Sequence, residues 1–339
     1  MHHNLLGRTG VSVSQLCLGA MMFGAWGNPD HDESIRVIHT ALDAGINVID
    51  TADVYAQGES EEIVGKAIRG RRDDIVLATK FHGAMGDDLN RQGSSRRWII
   101  RAVEDSLRRL GTDWIDLYQV HRSRTDTDIE ETLGALTDLV HQGKIRYLGA
   151  STFPASQIVD AQWVARDRGL QRFVTEQPAY SMLVRRVEDD ILPTCQRHGM
   201  GVLSYSPLTG GWLSGRWRKD NGQQASSRAS RLPERFDLSQ PANQRKLDAT
   251  EDLAQLADDA GITLIQMAIA FVLNHPAITS AIIGPRTLDQ LTGQLAAADV
   301  VLEPDVLDRI DQIVAPGTTV NPVDNSFDNP ALSPAARRR

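Results

Sequence analysis

Cysteine is scarce: Cys17 and Cys195 are the only two in 339 residues. Both sit in apolar or helical surroundings without metal-ligand spacing, which argues against a disulfide scaffold and fits buried, reduced thiols in a cytoplasmic protein. No run of about 18 apolar residues occurs, so a transmembrane helix is not expected. The opening Met1-His2-His3-Asn4 lacks the basic-then-apolar pattern of a secretion signal. A concentrated basic face is missing too: 44 acidic against 36 basic residues are spread along the chain and leave a net charge of −8, which does not suit broad nucleic-acid binding. Arg337-Arg338-Arg339 is a small basic exception and reads as a solvated end. No Gly-x-Gly-x-x-Gly follows the first apolar run, since Leu18-Gly19-Ala20-Met21-Met22-Phe23-Gly24 does not fit that spacing. That excludes the commonest dinucleotide-binding fold.

What the chain has is alternation. Hydrophobic residues make up 41% of it, enough for a large core. Short β-branched runs recur near 16–21, 47–51, 75–80, 115–121, 146–151, 173–177, 201–206 and 280–284. Helical patterns fall between them at about 32–44, 59–69, 95–110, 129–142, 155–168, 187–198, 249–274 and 287–297. Continuous apolar strands separated by helices predict a parallel sheet, and eight such units predict a closed (β/α)8 barrel of α/β class in a single domain. Residues 5–13 read as a β-hairpin before the barrel, with Gly7 and Gly10 at its turn. Gly45 is placed to end the first helix, and Ser94 or Ser95 to cap the third. Residues 209–245, after strand seven, form a long polar loop of the kind that is more often functional or disordered than ordinary. The barrel is expected over 1–320, with 321–339 as an extended C-terminal tail rich in Asn-Pro and Ser-Pro steps.

Four polar residues stand where three of the apolar runs end. Asp50 closes Asn47-Val48-Ile49-Asp50, Lys80 closes Ile75–Lys80, and His121 closes Ile115–His121, while Tyr55 lies five residues beyond Asp50. Singly, each has a structural explanation: a capping Asp, a solvated Lys, a satisfied core His. Barrel active sites lie at the C-terminal ends of the strands, so together they describe a proton-transfer site.

These same segments resemble the aldo-keto reductase superfamily, including its potassium-channel β-subunit-like and bacterial branches. Gly45–Tyr55, Ala78-Thr79-Lys80 and Asp116–Arg122 look like its signatures, Gly58-Glu59-Ser60-Glu61 like the start of its second helix, and the likeness runs from Leu16 to about Ala298. The resemblance implies a reductase of aldehydes and ketones in which Tyr55 donates the proton and Asp50, Lys80 and His121 support it. An ordinary tyrosine has a pKa of about 10, and a nearby Lys80 ammonium is expected to lower it. Side chains supply no hydride, so a nicotinamide cofactor is implied.

By the same resemblance the cofactor is NADP(H), lying across the rim. Ser151 and Gln177 would bond the nicotinamide carboxamide, and Tyr205 would stack on its ring. Ser206, Pro207, Leu208 and Gly210 would lie near the pyrophosphate, with Arg216 and Arg228 folding over from the long loop. Gly284 and Arg286 open the last helix, where Arg286 would meet the 2′-phosphate, and Gln290 and Gln294 would face the adenosine. Gly293-Gln294 departs from the family's Glu-Asn, and Ala20-Met21 departs from its pattern after the first strand, Met21 being the cofactor position there. Phe23, Trp26, Phe81, His82, Trp212 and Phe327 are the expected pocket walls.

Two other readings compete. The chain could be a catalytically weak regulatory or binding subunit of the same fold, although all four catalytic residue types are present and no docking segment is visible. A barrel isomerase or aldolase using Lys80 as a Schiff base leaves Tyr55, Tyr205 and Arg286 unexplained. The expected partner is a small carbonyl compound, neither nucleic acid nor membrane, with oligomerisation left open.

Overall fold

The computed structural model describes residues 1–222, 224, 227–326 and 334–338. A hairpin of β1 (His3–Leu5) and β2 (Ser12–Ser14) precedes eight strands: β3 (Leu16–Gly19), β4 (Val48–Asp50), β5 (Val76–Phe81), β6 (Ile115–Val120), β7 (Ile145–Ser151), β8 (Phe173–Gln177), β9 (Gly201–Tyr205) and β10 (Ser280–Ile283). All eight pair in parallel and close on themselves in the order β10-β3-β4-β5-β6-β7-β8-β9. The fold is the eight-stranded (β/α) barrel that the alternating pattern predicts.

The principal helices between strands are α1 (His31–Asp43), α2 (Glu59–Ala67), α3 (Arg96–Leu110), α4 (Ile129–His141), α5 (Ala155–Arg168) and α6 (Ile191–His198). Their boundaries follow local chemistry. Asp30 caps α1 by accepting from Glu33 N, and Gly45, at φ 92°, turns the chain after it in a conformation that an L side chain resists. Of the two candidate serines, Ser95 caps α3 by accepting from Trp98 N, while Ser94 bonds His82. The hairpin lies against the barrel's N-terminal end, where Asn4 donates to Thr279 O and a Cβ on Gly7 would stand 2.7 Å from Gly201 N.

Beyond β9 the chain runs through α7 (Ser227–Arg231), α8 (Pro241–Asp259) and α9 (Leu264–Asn274), and after β10 through α10 (Leu288–Leu295), α11 (Pro304–Ile313) and α12 (Pro334–Arg337). The single helix expected over 249–274 is two. Gly261 is left-handed at φ 69°, and Thr263 and Gln266 form a reciprocal capping box that restarts the helix. The described residues of 209–245 also hold more regular structure than their polarity suggests. Trp212 stacks on Trp217 at 4.1 Å and on Phe236 at 6.1 Å, and α8 begins at Pro241 within the expected loop. The described tail is not simply extended: Pro322–Asn325 makes a 3₁₀ turn, and buried Asp324 accepts from Lys246 Nζ at 2.7 Å. Residues 327–333 and Arg339, including the candidate wall residue Phe327, lie outside the described residues. No single helix among the described residues is long and apolar enough to cross a membrane.

Two apolar layers hold the barrel. The larger lies between strands and helices, and a smaller cluster containing Cys17, Val48, Ala78, Leu117, Leu203 and Ile282 fills the lumen. Every other residue of a strand faces the lumen, and that period sets the site above it.

Candidate active site

Counting two residues onward from the lumen cluster, Val48 leads to Asp50, Ala78 to Lys80, and Leu117 to Gln119 and then His121. Thr175 likewise leads to Gln177, and Leu203 to Tyr205. The ladder registers bring these polar positions level: Lys80 pairs with Gln119, and Ser151 with Gln177. A polar layer therefore sits on the apolar plug at the C-terminal end of the barrel.

Within that layer Lys80 is fully buried and donates from Nζ to Asp50 Oδ1, to Thr51 O at 2.9 Å and to the Tyr55 hydroxyl at 3.3 Å. The Tyr55 ring meets the His121 ring edge-on at 5.7 Å between centroids. All four residues of the quartet thus meet around one phenol. The other Asp50 oxygen, Oδ2, accepts from Gln119 Nε2 at 3.0 Å and from Gln177 Nε2 at 2.9 Å, and Gln177 also reaches Gln119 Oε1 at 3.2 Å. Gly149 gives Gln119 its room, since a Cβ there would stand 2.8 Å from Gln119 Cγ. Gln119 is absent from the sequence-based candidates. Its signal was its place two residues before His121, on the same face of a buried strand.

Charge follows from this packing. Burial works to discharge Lys80, but the Asp50 carboxylate and the Tyr55 phenol beside it hold its pKa above the usual lysine value. Burial likewise raises Tyr55; the Lys80 ammonium pulls the other way and does not prevail. The expected lowering of the phenol is thus reversed, because desolvating a phenolate here outweighs one neighbouring cation that Asp50 already engages. Burial, followed by the charges of Lys80 and Arg122, holds His121 well below the ordinary histidine value, so its imidazole is neutral at pH 7.

The turn that carries Tyr55 is strained. Ala56 and Gln57 both adopt left-handed φ, at 48° and 56°, a conformation costing non-glycine residues roughly 1–2 kcal/mol each. Behind it, Arg109 Nε donates to Glu61 Oε2 at 2.7 Å, and Thr79 donates to Glu61 Oε1 at 2.6 Å. Asp53 lies buried beside this pair. Burial and then the Glu61 charge raise its pKa well above the carboxylate range.

A cavity of about 840 Å³ opens over the quartet. Asp50, Tyr55 and His121 line it, and so do all the residues assigned by resemblance to a cofactor: Met21, Ser151, Gln177, Tyr205, Ser206, Pro207, Leu208, Gly210, Arg216, Arg228, Gly284, Arg286, Gln290 and Gln294. Lys80 lies beneath its floor. Gly210 and Gly211 bring the backbone close to two of the arginines, since an added Cβ would meet Arg228 Cδ at 3.3 Å and Arg216 Nη2 at 3.2 Å. The Arg228 guanidinium has no carboxylate partner among the described residues, its one hydrogen-bond contact being Met22 Sδ at 3.5 Å. Burial, and then the charges of Arg231, Arg235 and Arg286, push its pKa down to about 10. Gln290 Oε1 accepts from Arg286 N at 2.9 Å and shapes the start of α10. Tyr205 Oη is buried without a partner among the described residues.

The expected pocket walls fare differently. Trp26 lines the cavity, its ring 6.1 Å from that of Tyr55 and beneath the Arg231 guanidinium. Phe23, Phe81 and Trp212 are fully buried core residues instead. Phe81 follows inward-facing Lys80, so it points into the helix layer against Tyr118, and Trp212 is enclosed by Trp217 and Phe236. His82 turns away to Ser94.

Comparison with known proteins agrees with this architecture. A model of the aldo/keto reductase family matches residues 15–315. The chain is 37% identical over 324 residues to the "Uncharacterized oxidoreductase YrpG" of Bacillus subtilis, covering 92% of this chain and 96% of the relative. It is 37% identical over 330 residues to a "Probable voltage-gated potassium channel subunit beta" of Arabidopsis thaliana, covering 93% and 97%. It is 34% identical over 346 residues to the "Versiconal hemiacetal acetate reductase" of Aspergillus parasiticus, covering 93% and 98%.

Proposed function

The chain belongs to the aldo/keto reductase family, and from that premise we propose that it reduces aldehydes or ketones to alcohols with NADPH, Tyr55 delivering the proton. Family membership makes it an oxidoreductase acting on carbonyl compounds. The contact between Lys80 Nζ and the Tyr55 hydroxyl, on the floor of a cavity that Arg216, Arg228 and Arg286 line, carries the finer reading.

The residues present suit a phosphate-bearing cofactor. Arg228 is a half-buried guanidinium without an acid partner among the described residues, crowded by Arg231, Arg235 and Arg286, and a polyanion would relieve that repulsion. Arg216, Arg228 and Arg286 would hold the phosphates, Ser151 and Gln177 the carboxamide, and Tyr205 the ring face. When bound, the nicotinamide supplies the hydride.

The chain's own residues supply the rest. As negative charge develops on the carbonyl oxygen, the Tyr55 hydroxyl donates its proton there. Lys80, kept charged by Asp50, stabilises the phenolate left behind. Neutral His121 would hydrogen-bond the same oxygen without competing as an acid. Gln119 and Gln177 hold the far oxygen of Asp50 so that its near oxygen stays on Lys80.

A regulatory role draws support from relatives named as potassium channel β subunits. The intact relay from Asp50 to Tyr55 favours turnover. The deciding experiment follows NADPH oxidation against a panel of aldehydes, ketones and quinones, with wild type and Tyr55→Phe. Turnover that falls at least about a hundredfold in the variant, with NADPH still bound, supports the assignment; equal turnover in both would sink it.

A further inference from the structure

One guanidinium in the cavity stands apart from the cofactor arginines. Arg122 follows β6, whereas Arg286 follows β10 and Arg216 and Arg228 lie beyond β9. In the closed order β10-β3-β4-β5-β6-β7-β8-β9, β6 is four places from β10 whichever way one counts, so Arg122 sits across the rim from Arg286. It shares the lining of the cavity with His121, Tyr55, Val54 and Trp26.

The way Arg122 is held leaves one edge free. Nη1 donates to His121 O at 3.0 Å and to Thr152 Oγ1 at 2.9 Å, which fixes the guanidinium against the ends of β6 and β7. Nε and Nη2 have no protein partner among the described residues. Those two donors form the side-on edge that pairs with a carboxylate or phosphate through two parallel hydrogen bonds.

Nor does a neighbouring charge cancel it. Asp50 is committed to Lys80, Gln119 and Gln177. Asp126 is bound to Arg124 through two hydrogen bonds. Glu176 lies in the helix layer with Oε1 on Phe153 N at 3.1 Å, and its pKa of about 8 leaves it mostly protonated at pH 7. His121 and His82 are both neutral there, burial and the neighbouring cations holding His82 to about 4. A half-buried cation without a compensating charge among the described residues thus lines the cavity that opens over the quartet, a cavity that Trp26 and Val54 line as well.

We infer that Arg122 is a substrate-anion subsite: the enzyme selects carbonyl compounds that join an apolar body to a carboxylate or phosphate, and the Nε–Nη2 edge of Arg122 holds that anion while the carbonyl meets Tyr55. This rests on the reductase reading given above and narrows its substrate class. Arg122 is a binding residue here, and its effect belongs in the ratio between charged and uncharged substrates rather than in overall rate.

The test compares 3- and 4-formylbenzoate with their methyl esters as substrates for NADPH-dependent reduction by wild type, Arg122→Met and Arg122→Lys. Each acid and ester pair differs little except in charge, so the ratio of their kcat/KM values cancels general damage to the site. In wild type at least one acid is expected to exceed its ester by about tenfold or more, mainly through KM, as suits a charge-assisted bidentate pair. In Arg122→Met that ratio falls to one or below, and in Arg122→Lys it is intermediate. A wild-type ratio near one for both pairs, or a ratio that survives in Arg122→Met, overturns the subsite. So does an equal loss for acid and ester that tracks a rise in the NADPH Kd of Arg122→Met, since Arg122 would then serve the cofactor. Reduction of neither acid nor ester by wild type would instead strike the reductase reading, and this inference would fall with it.

Discussion

Gln119 donates from Nε2 to Asp50 Oδ2 at 3.0 Å, on the carboxylate oxygen that Lys80 leaves free. The pair lies inside the barrel, with Gln119 fully buried and Asp50 nearly so. A carboxylate held at both oxygens cannot rotate away from its ammonium, and orientation of that kind is what preorganised sites depend on. Replacing Gln119 by Leu is therefore expected to lower kcat about tenfold, equivalent to ~1.4 kcal/mol in the barrier, with little change in NADPH affinity. Steady-state kinetics alongside a fluorescence titration of the cofactor would check this, and an unchanged kcat would show that Lys80 and Gln177 orient Asp50 without Gln119.

The Lys80–Asp50 pair also has a stability consequence. Lys80→Met leaves the Asp50 charge buried without its cation, which costs on the order of 3–5 kcal/mol. Adding Asp50→Asn removes that stranded charge, so the double variant should be more stable than the sum of the two single losses. Urea unfolding of all four proteins measures the coupling, and simple additivity would mean that the groups do not interact.

The quartet was legible because three apolar runs end in polar residues, and in a barrel such ends converge. Gln119 was legible in principle by the same period of two, yet it lies within a strand rather than at its end. Phe81 could have been placed by that rule as well, since a neighbour of inward-facing Lys80 must face outward. Trp212 could not. Its burial depends on stacking against Trp217 and Phe236, a tertiary contact that no local period announces. The break between α8 and α9 hid behind continuous apolar periodicity, although Gly261 and the Thr263–Gln266 box mark it locally. The sign of the Tyr55 shift was out of reach, because it depends on how far burial outweighs one cation.

That sign sets the pH behaviour of reduction. Tyr55 keeps its proton above the ordinary tyrosine range, so kcat/KM for reduction should hold through neutral pH and decline only as pH rises past about 10. His121, held far below its usual value, should add no ionisation step near pH 6.5. A pH–rate profile with a clear inflection between pH 6 and 7 would show that the imidazole titrates normally in the working site.

Arg286 opens α10 and lines the cavity, where its guanidinium suits a 2′-phosphate. Arg286→Ala is expected to raise the Kd for NADPH by about tenfold or more while changing that for NADH by less than about threefold. Titration with both cofactors gives the ratio. Equal losses would assign Arg286 to the fold of the α10 entrance, where its backbone N–H already donates to Gln290.

Glu176 ties the barrel's stability to pH. Its side chain is fully buried, Oε1 accepts from Phe153 N, and Oε2 has no partner among the described residues. Burial raises its pKa from 4.5 to about 8, with backbone donors from Phe153 and Thr152 opposing. The folded protein therefore binds this proton between those values when the unfolded chain does not, and the slope of stability with pH is negative there. The contribution is fully present below the unfolded value and is lost as pH rises through 8. Glu176→Gln keeps the shape of the protonated acid without its ionisation, so relative to wild type it should gain roughly 2–4 kcal/mol in unfolding free energy between pH 5 and pH 8. Urea unfolding at both pH values compares the two proteins, and a constant difference between them would mean that the Glu176 carboxyl ionises in the fold as readily as in the open chain.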